Sequence, residues 1–461
     1  MRALLKRLYE KLPPSIREWA QVSYHMVPPK WRYGESYRNA LALFEKSDWW
    51  DEGKLREYQE ERLRLLVRHC YEHVPYYRQV FQERGLTPRD IQGIADLPKL
   101  PFLTKDMVIR RREELLADNI PRSTMEEAHT SGSSGTPLSF YMDRTTRPVD
   151  RALALRRLLW LGYREGEVRA FFDCLPLANP RHHIKYFPGA RELRISFRAV
   201  DDRSLDDMLD ALDHYKPAFI DAWPSCLFIL ARWIQKRHRK IPPPRYVGTA
   251  SENLHPHMKE LIENAFQARV IDWYGQEESV AVAMQCSFAR EYHVQMEMGI
   301  LELVPTTADH AGEIVGTCLH NFAMPFLRYK TGDLAVQGTG EPCPCGRKHP
   351  TLSRVLGRDT ELVITPEGKA ISPLNLHFVF YRLDEVKEAQ IVQEDIRTLA
   401  VKVVPWGSLS KQSRQAIVCE IHDRLSSPSM NVIVEEIDDI PRTKGGKRPF
   451  VITKLHVEDY L

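Results

Sequence analysis

The sequence predicts an α/β protein, with a large layered α/β body followed by a small, mobile α+β unit at the C-terminal end. Strand-like and helix-like segments alternate between about residues 125 and 335. After Gly357-Arg358 the pattern changes to short strands around a single helix. At 461 residues the chain is also too long for one simple core. Residues 1–120 read as the helical N-terminal region of the large domain, 121–357 as its α/β body and 358–461 as the small domain.

Taken in order, Met1 to Trp19 is basic and amphipathic. It lacks the apolar stretch of a signal peptide, and it is expected to pack on the body rather than to rest on a membrane surface. Glu52 to His73 carries Leu, Arg and Glu at helical spacing, and Pro75 marks the helix end. Thr104 is placed to cap the helix that follows Pro101-Phe102-Leu103. Helices are predicted at Arg203 to Tyr215, Leu227 to Arg239 (stopped by Pro242-Pro243-Pro244) and Pro256 to Ala265. Strands are predicted at Ala218 to Ala222, Tyr246 to Ala250 and Arg269 to Tyr274. In the small unit, Leu362 to Ile364 and Lys369 to Ile371 form a hairpin. Ala389 to Val392 pairs with Leu399 to Val404, Lys411 to Leu425 is a helix, and Asn431 to Ile437 is a strand.

Composition excludes several classes. Lys+Arg outnumber Asp+Glu by 65 to 62, a net charge of +3, so no nucleic-acid partner is expected. No apolar run is long enough for a transmembrane segment. Eight cysteines in a chain of this length do not form a disulfide framework, and a reducing cytoplasm is the expected compartment. Neither a Ser-His-Asp arrangement nor Gly-x-Ser-x-Gly is visible, which gives hydrolase chemistry little support.

Two loops have the makings of a phosphate site. In Pro441-Arg442-Thr443-Lys444-Gly445-Gly446-Lys447, paired glycines allow close backbone approach, and Lys447 delivers a compact positive charge. In Thr130-Ser131-Gly132-Ser133-Ser134-Gly135-Thr136-Pro137, glycine geometry and hydroxyl donors suit an anion-binding nest within a strand–loop–strand hairpin. No Gly-Lys-Ser/Thr follows, so this is not a Walker A loop. Three clusters fit the rest of a nucleotide site. Trp273-Tyr274-Gly275-Gln276-Glu277-Glu278 ends a strand with an aromatic face for a base and carboxylates for Mg²⁺. Ala250-Ser251-Glu252-Asn253 lies at another strand end, where open sheets take ligands. Arg328-Tyr329-Lys330-Thr331-Gly332-Asp333 closes a strand with a glycine turn and a carboxylate suited to ribose hydroxyls.

A metal site is predicted separately. Cys286 and His293 lie seven residues apart, and Cys343-Pro344-Cys345-Gly346 follows in a turn-rich loop. Three thiolates and one imidazole make a closed tetrahedral set for a structural Zn²⁺, with His349 in reserve. Cys70, Cys174, Cys226, Cys318 and Cys419 read as small core residues. His182-His183 borders a candidate acyl pocket, and His255 and His257 start a helix as solvated side chains.

The ordered set Thr130–Pro137, Ser251-Glu252, Tyr274–Glu278, Tyr329–Asp333, Gly357-Arg358 and Pro441–Lys447 resembles the adenylate-forming (AMP-binding) enzymes. The resemblance covers about residues 100–455. It is nearest to the phenylacetate–CoA ligases and CapK-like proteins through His69–Arg78, Leu100–Lys105 and Gly446–Ile452. It implies ATP, Mg²⁺ and a small-molecule carboxylate as substrates and cofactor, with CoA or another acceptor taking the acyl group. By the same resemblance, Thr130, Ser131, Gly132, Ser133, Ser134, Gly135 and Thr136 hold the β- and γ-phosphates. Ser251, Glu252, Tyr274 and Gly275 line the adenine pocket, Glu278 binds Mg²⁺, and Asp333 takes the ribose with Arg358 close by. Lys447 bridges the carboxylate and the α-phosphate. CapK-like relatives direct attention to surface polysaccharide, and a homodimer is compatible by analogy. Two positions depart from the family pattern: Glu277 stands where a Thr or Ser is common, and Asp359-Thr360 follows the arginine of the hinge. Adenylyl transfer to a hydroxyl and a non-catalytic nucleotide-binding scaffold are the alternatives.

Overall fold

The computed structural model describes residues 12–129, 138–173, 177, 182–197, 202–288, 291–306, 311–358, 363–367, 370–371, 376, 378–380, 383, 385–425, 427–441 and 449–455. The predicted loops at Thr130–Pro137 and Arg442–Lys447, the hinge residues Asp359-Thr360 and Cys174 lie outside the described residues.

Helices dominate the first 120 residues: α1 (Pro14–Met26), α2 (Pro29–Arg32), α3 (Gly34–Ser47), α4 (Glu52–His73), α5 (Pro75–Glu83) and α6 (Lys105–Arg110). The α4 helix begins where the Asp51 carboxylate accepts a hydrogen bond from Lys54 N. It stops before Pro75, which opens α5 at the first helical position. Thr104 caps α6 by accepting from Met107 N.

A hairpin of β1 (Glu126–His129) and β2 (Ser139–Met142) follows, with His129 opposite Ser139. Next comes α7 (Thr146–Trp160). The body is then built on one twelve-stranded mixed sheet. Its parallel part comprises β3 (Arg169–Asp173), β5 (Glu192–Ser196), β6 (Phe219–Ala222), β7 (Tyr246–Ala250) and β8 (Arg269–Gly275), with β4 (Ile184–Phe187) antiparallel at the edge. Three crossover helices, α8 (Asp202–Tyr215), α9 (Pro224–Lys236) and α10 (Pro256–Phe266), return the chain between parallel strands. Leu205, Leu209, Leu230, Trp233, Ile262 and Phe266 from these helices bury against Ala170, Phe172 and Val247 of the sheet. The antiparallel part continues through β9 (Val282–Gln285), β10 (Tyr292–Val294), β14 (Thr351–Arg358), β13 (Tyr329–Gln337), β12 (Ala311–Cys318) and β11 (Gly299–Pro305). Gly299 is required there, because a Cβ would sit 2.2 Å from Val280 O.

The small unit pairs β15 (Val363–Ile364) with β16 (Ala370–Ile371). Its main sheet is ordered β19 (Asn431–Glu436), β18 (Thr398–Pro405), β17 (Val386–Asp395), β20 (Val451–Thr453). One face is covered by α11 (Lys411–Leu425), whose Ile417, Ile421 and Leu425 bury against Ile391, Val401 and Val403.

Several expectations need correction. Helix α9 starts at Pro224 rather than Leu227, because Pro224 occupies the first helical turn, where its missing N–H costs nothing. Tyr329–Asp333 opens β13 rather than closing a strand, and Gly332, at φ +71°, sits where the β12–β13 register shifts. Cys419 is exposed on α11, whereas Cys70, Cys226 and Cys318 are buried.

His255 and His257 are not solvated but buried, at 3% and 5% exposure. Burial pushes His255 down to about 3 and His257 to about 4. The folded state therefore holds both rings neutral, while the unfolded chain protonates them below about pH 6.5. Their stabilisation is full above that pH and is lost as pH falls toward the folded values. At pH 5 the loss is about 2 kcal/mol per ring. Thermal unfolding at pH 7.5 and pH 5.0 is expected to show a clear fall in Tm, and His255→Gln/His257→Gln is expected to flatten it. An identical fall in the double variant would refute the assignment.

Candidate active site and metal centre

Segment 321–333 carries Asp333, and its side chains reach Tyr274 and Glu278. Asn321 Nδ2 donates to Tyr141 O (2.8 Å) and to Met324 O (3.1 Å), while its Oδ1 accepts from Asp143 N (3.2 Å) and Ala323 N (3.1 Å). The end of β2 is thereby tied to this segment, and with it the hairpin that carries Thr130–Pro137. Two upstream signatures hold the same segment. His69 Nε2 pairs with Phe322 O (2.8 Å), Tyr77 Oη donates to Pro325 O (3.1 Å), and Leu327 N donates to Tyr77 Oη (2.9 Å). Leu103 forms a parallel bridge with Tyr329, giving Leu103 N to Arg328 O (3.0 Å) and Lys330 N to Leu103 O (2.9 Å).

Arg328 fixes the turn into β13. Its backbone is left-handed, at φ +50°, which is costly for a residue with a Cβ. Its buried guanidinium offsets the strain with Glu302 (2.9 Å), Leu100 O (2.8 Å) and the Phe102 ring (4.2 Å).

From this turn the site residues follow. Tyr274 Oη, at the end of β8, donates to Asp333 Oδ2 (2.9 Å), and Gln276 Nε2 donates to Tyr274 Oη (2.9 Å). Burial, with the Asp333 carboxylate beside it, pushes the Tyr274 phenol well above its usual range, so it stays protonated and donates. Asp333 N donates to Thr331 Oγ1 (3.0 Å). Tyr329 Oη donates to Glu278 Oε1 (3.2 Å), and Glu278 is buried. Ser279, at φ +50°, donates through Oγ to Asp150 Oδ1 (3.0 Å), whose carboxyl burial raises to about 7. Gly275 ends β8, and Ser251, at φ +72°, follows β7 with Glu252 beside it. Arg358 is the last residue of β14, paired across the sheet with Asp333.

The structure thus brings Tyr274, Gly275, Glu278 and Asp333 together, with Ser251 and Glu252 on the neighbouring strand end. Thr130–Thr136 and Lys447 lie outside the described residues. Arg147 was missed by sequence reasoning. It pairs with both Glu277 and Glu126 (3.3 Å to the latter), so the extra carboxylate at 277 is neutralised by α7. A pair 130 residues apart leaves no local sequence signal. His182 and His183 meet acidic partners instead, Glu18 at 3.7 Å and Asp207 at 3.4 Å.

The four predicted metal ligands also converge. One ligand atom each from Cys286, His293, Cys343 and Cys345 lies within 4.8 Å of the others. Cys286 Sγ is 3.5 Å from Cys343 Sγ, and Cys345 Sγ is 3.6 Å from His293 Nε2. Contact with Cys286, then His293, holds the Cys345 thiol well below the usual range, whereas burial raises Cys343. His349 belongs to a neighbouring ion cluster, with its Nε2 3.4 Å from Glu297 Oε1 and 3.3 Å from Arg156 Nη2.

Comparisons with known proteins agree with this architecture. Residues 363–454 match the family model described as the CapK C-terminal domain. The chain is 28% identical over 347 residues to a phenylacetate-coenzyme A ligase of Thermus thermophilus, spanning 72% of this chain and 76% of that protein. It is 22% identical over 412 residues to Protein CapK of Staphylococcus aureus, spanning 87% and 90%. The solved structure of 2-hydroxyisobutyryl-CoA ligase in the postadenylation state, in complex with R3-HIB-AMP, aligns at a TM-score of 0.69. Identity there is 20%, over 90% of this chain and 92% of that one.

The turn at Arg328 generates a prediction. Arg328→Leu leaves Glu302 without its buried partner and is expected to cost about 3–5 kcal/mol. Arg328→Lys is expected to recover less than half of this, since a lysine cannot serve Glu302 and Leu100 O together. Thermal unfolding of both variants checks it, and a lysine variant as stable as the parent would contradict it.

Proposed function

We propose that this chain, which resembles the phenylacetate–CoA ligase and CapK branch of the adenylate-forming enzymes and shares their fold, is an ATP-dependent acid–thiol ligase. It activates a small-molecule carboxylate as an acyl-adenylate and passes the acyl group to CoA. The observation that carries the reading is the pairing of motifs from distant parts of the chain, Tyr274 with Asp333 and Tyr329 with Glu278, at the end of a parallel strand.

The residues divide the work as follows. Asp333, oriented by Tyr274 and Thr331, takes the ribose hydroxyls, with Arg358 nearby. Ser251, Glu252, Tyr274 and Gly275 border the adenine. Glu278 is a buried carboxylate suited to Mg²⁺, a hard ion that neutralises phosphate charge. Thr130–Thr136 grip the β- and γ-phosphates. Lys447, on the small domain assigned to 358–461, brings an ammonium group to the carboxylate and the α-phosphate. The carboxylate oxygen attacks the α-phosphorus and pyrophosphate leaves. Charge grows on the phosphate oxygens, and a positioned cation there lowers the barrier. An acceptor in surface polysaccharide synthesis, which the resemblance to CapK-like proteins implies, is the second reading. Arg147 neutralises Glu277, so the extra carboxylate at this departure from the family pattern lends no support to a non-catalytic scaffold. We take the cytoplasm as the compartment.

The reading also includes one structural Zn²⁺. Three sulfurs and an imidazole nitrogen within 4.8 Å of one another match the donor set and number of a closed zinc site. Cys286, His293, Cys343 and Cys345 would hold the ion, tying β9 and β10 to the loop between β13 and β14.

Two experiments test this. Pyrophosphate release from ATP is expected only with a carboxylate from a library, and CoA is expected to accelerate turnover. Lys447→Ala is expected to slow adenylation at least about a hundredfold while ATP affinity stays within a few-fold. Release driven by a hydroxyl compound instead would favour adenylyl transfer. Elemental analysis is expected to find about one zinc per chain, lost in Cys343→Ser, whereas undiminished zinc in that variant would refute the metal site.

A further inference from the structure

Exposed apolar side chains are concentrated at one end of the molecule. Of fourteen large hydrophobic residues exposed among the described residues, seven fall between Leu12 and Trp31. Trp19 and Trp31 are each 71% exposed, and Met26 is 66% exposed. On α1, at 100° per residue, Ile16, Trp19 and Met26 share about 80° of arc. Val27 and Trp31 continue the run through the elbow into α2.

The opposite arc of α1 is anchored. Glu18 pairs with Lys185 (2.8 Å) and His182 (3.7 Å). The His25 ring stacks on Phe187 at 4.4 Å between centroids. Gly189 lies against the backbone at the C-terminal end of the helix, where a Cβ would meet His25 O at 3.3 Å and Met26 Cα at 2.8 Å. Arg32 steadies the elbow through two bonds to Val27 O (2.7 and 3.2 Å) and lies 4.4 Å from the Tyr24 ring centroid. The ridge is thus held outward by a fixed helix.

Charge says what covers it. Residues 1–32 contain seven Lys/Arg and two Asp/Glu, a net +5, whereas the remaining residues sum to −2 against the chain total of +3. A second copy docking by the same face would set Lys30 and Arg32 against their own counterparts, like charge against like charge. An anionic surface gains from both terms, since Trp and Tyr settle at the headgroup level and Lys/Arg pair with phosphates. At 13 residues α1 is too short to span, and no described helix is long and apolar enough to cross a membrane. We propose that the Ile16–Trp31 ridge docks this protein on an anionic phospholipid bilayer, with α1 lying in the surface plane. This goes beyond the ligase reading and does not depend on it.

The test uses the full chain and vesicles of phosphatidylcholine alone or mixed with phosphatidylglycerol. Co-sedimentation is expected with the mixed vesicles and not with the neutral ones, and it is expected to weaken at high salt. Trp19→Ala/Trp31→Ala is expected to lower the bound fraction at least about tenfold with an unchanged Tm. Lys30→Ala is expected to weaken binding without touching the ridge. Equal sedimentation of parent and double variant, or no binding to anionic vesicles, would overturn the proposal. So would light scattering that shows a dimer converted to monomer by the double substitution.

Discussion

The turn at Arg328 is the constraint on which the site depends. A left-handed arginine with a buried guanidinium is stable only if every donor is matched and the charge is paired. Glu302, Leu100 O and Phe102 supply those partners. Once the turn is set, Tyr329 and Asp333 enter β13 in one register, and their side chains meet Glu278 and Tyr274. The Leu100–Lys105 and His69–Arg78 segments lie far from this site in sequence. Their role is to hold the peptide that aims it, through Leu103, His69 and Tyr77.

A second buried charge network supports the cluster of Cys286, His293, Cys343 and Cys345. Arg156 is buried and bonds Asp48 (2.7 Å), Glu297 (2.9 Å) and Gln295 (2.9 Å). Burial opposes ionisation of Glu297, yet Arg156 and His349 hold its carboxyl far below the usual range. Trp160 stands between the two systems. Its indole N–H donates to Asp48 (2.9 Å), while its ring meets His293 edge-on at 5.7 Å and His349 at 5.9 Å. The cysteine-rich loop is therefore braced from α7 by an aromatic ring and an ion cluster, an arrangement that suits a structural metal better than a reacting one.

Local signals were legible and tertiary ones were not. Helix α4 was readable to both ends because Asp51 caps it, its apolar spacing is regular and Pro75 follows. Cysteine spacing named Cys286, His293, Cys343 and Cys345, whose side-chain ligand atoms converge, since Cys-Pro-Cys-Gly has little use in packing. The motif order identified Tyr274, Glu278 and Asp333, but not the hydrogen bonds between them. The expected start at Leu227 left out the three residues from Pro224, although a proline fits the first helical turn well. His255 and His257 looked solvated because polarity is visible in a sequence and burial is not. The Arg147–Glu277 pair joins α7 to the segment that follows β8, 130 residues away, which no local pattern encodes. Net charge concealed the same kind of information, since a total of +3 averages a basic N-terminal stretch with an acidic remainder.

The contacts between the small unit and the body explain how the two can be both ordered and separable. Trp406 stacks on Trp233 of α9 at 5.5 Å, with Lys236 5.0 Å from one ring and 4.5 Å from the other. Phe450 meets His255 at 6.3 Å, and Arg232 donates to Leu383 O at 3.2 Å. These are side-chain contacts of rings and cations, and none extends a sheet across the two units among the described residues. Each side keeps its own core, built on Leu230 and Trp233 in the body and on Val401 and Ile417 in the small unit. Parting them would uncover one face of Trp233 and a few amphipathic side chains while the rest of both cores stays packed, which is the condition for moving a domain without unfolding it. A neutral His255 at this contact also matters, because a charged imidazole would be expensive to bury against Phe450. The burial that makes the fold sensitive to acid is thus the same burial that lets Phe450, close after the lysine loop, rest against the body.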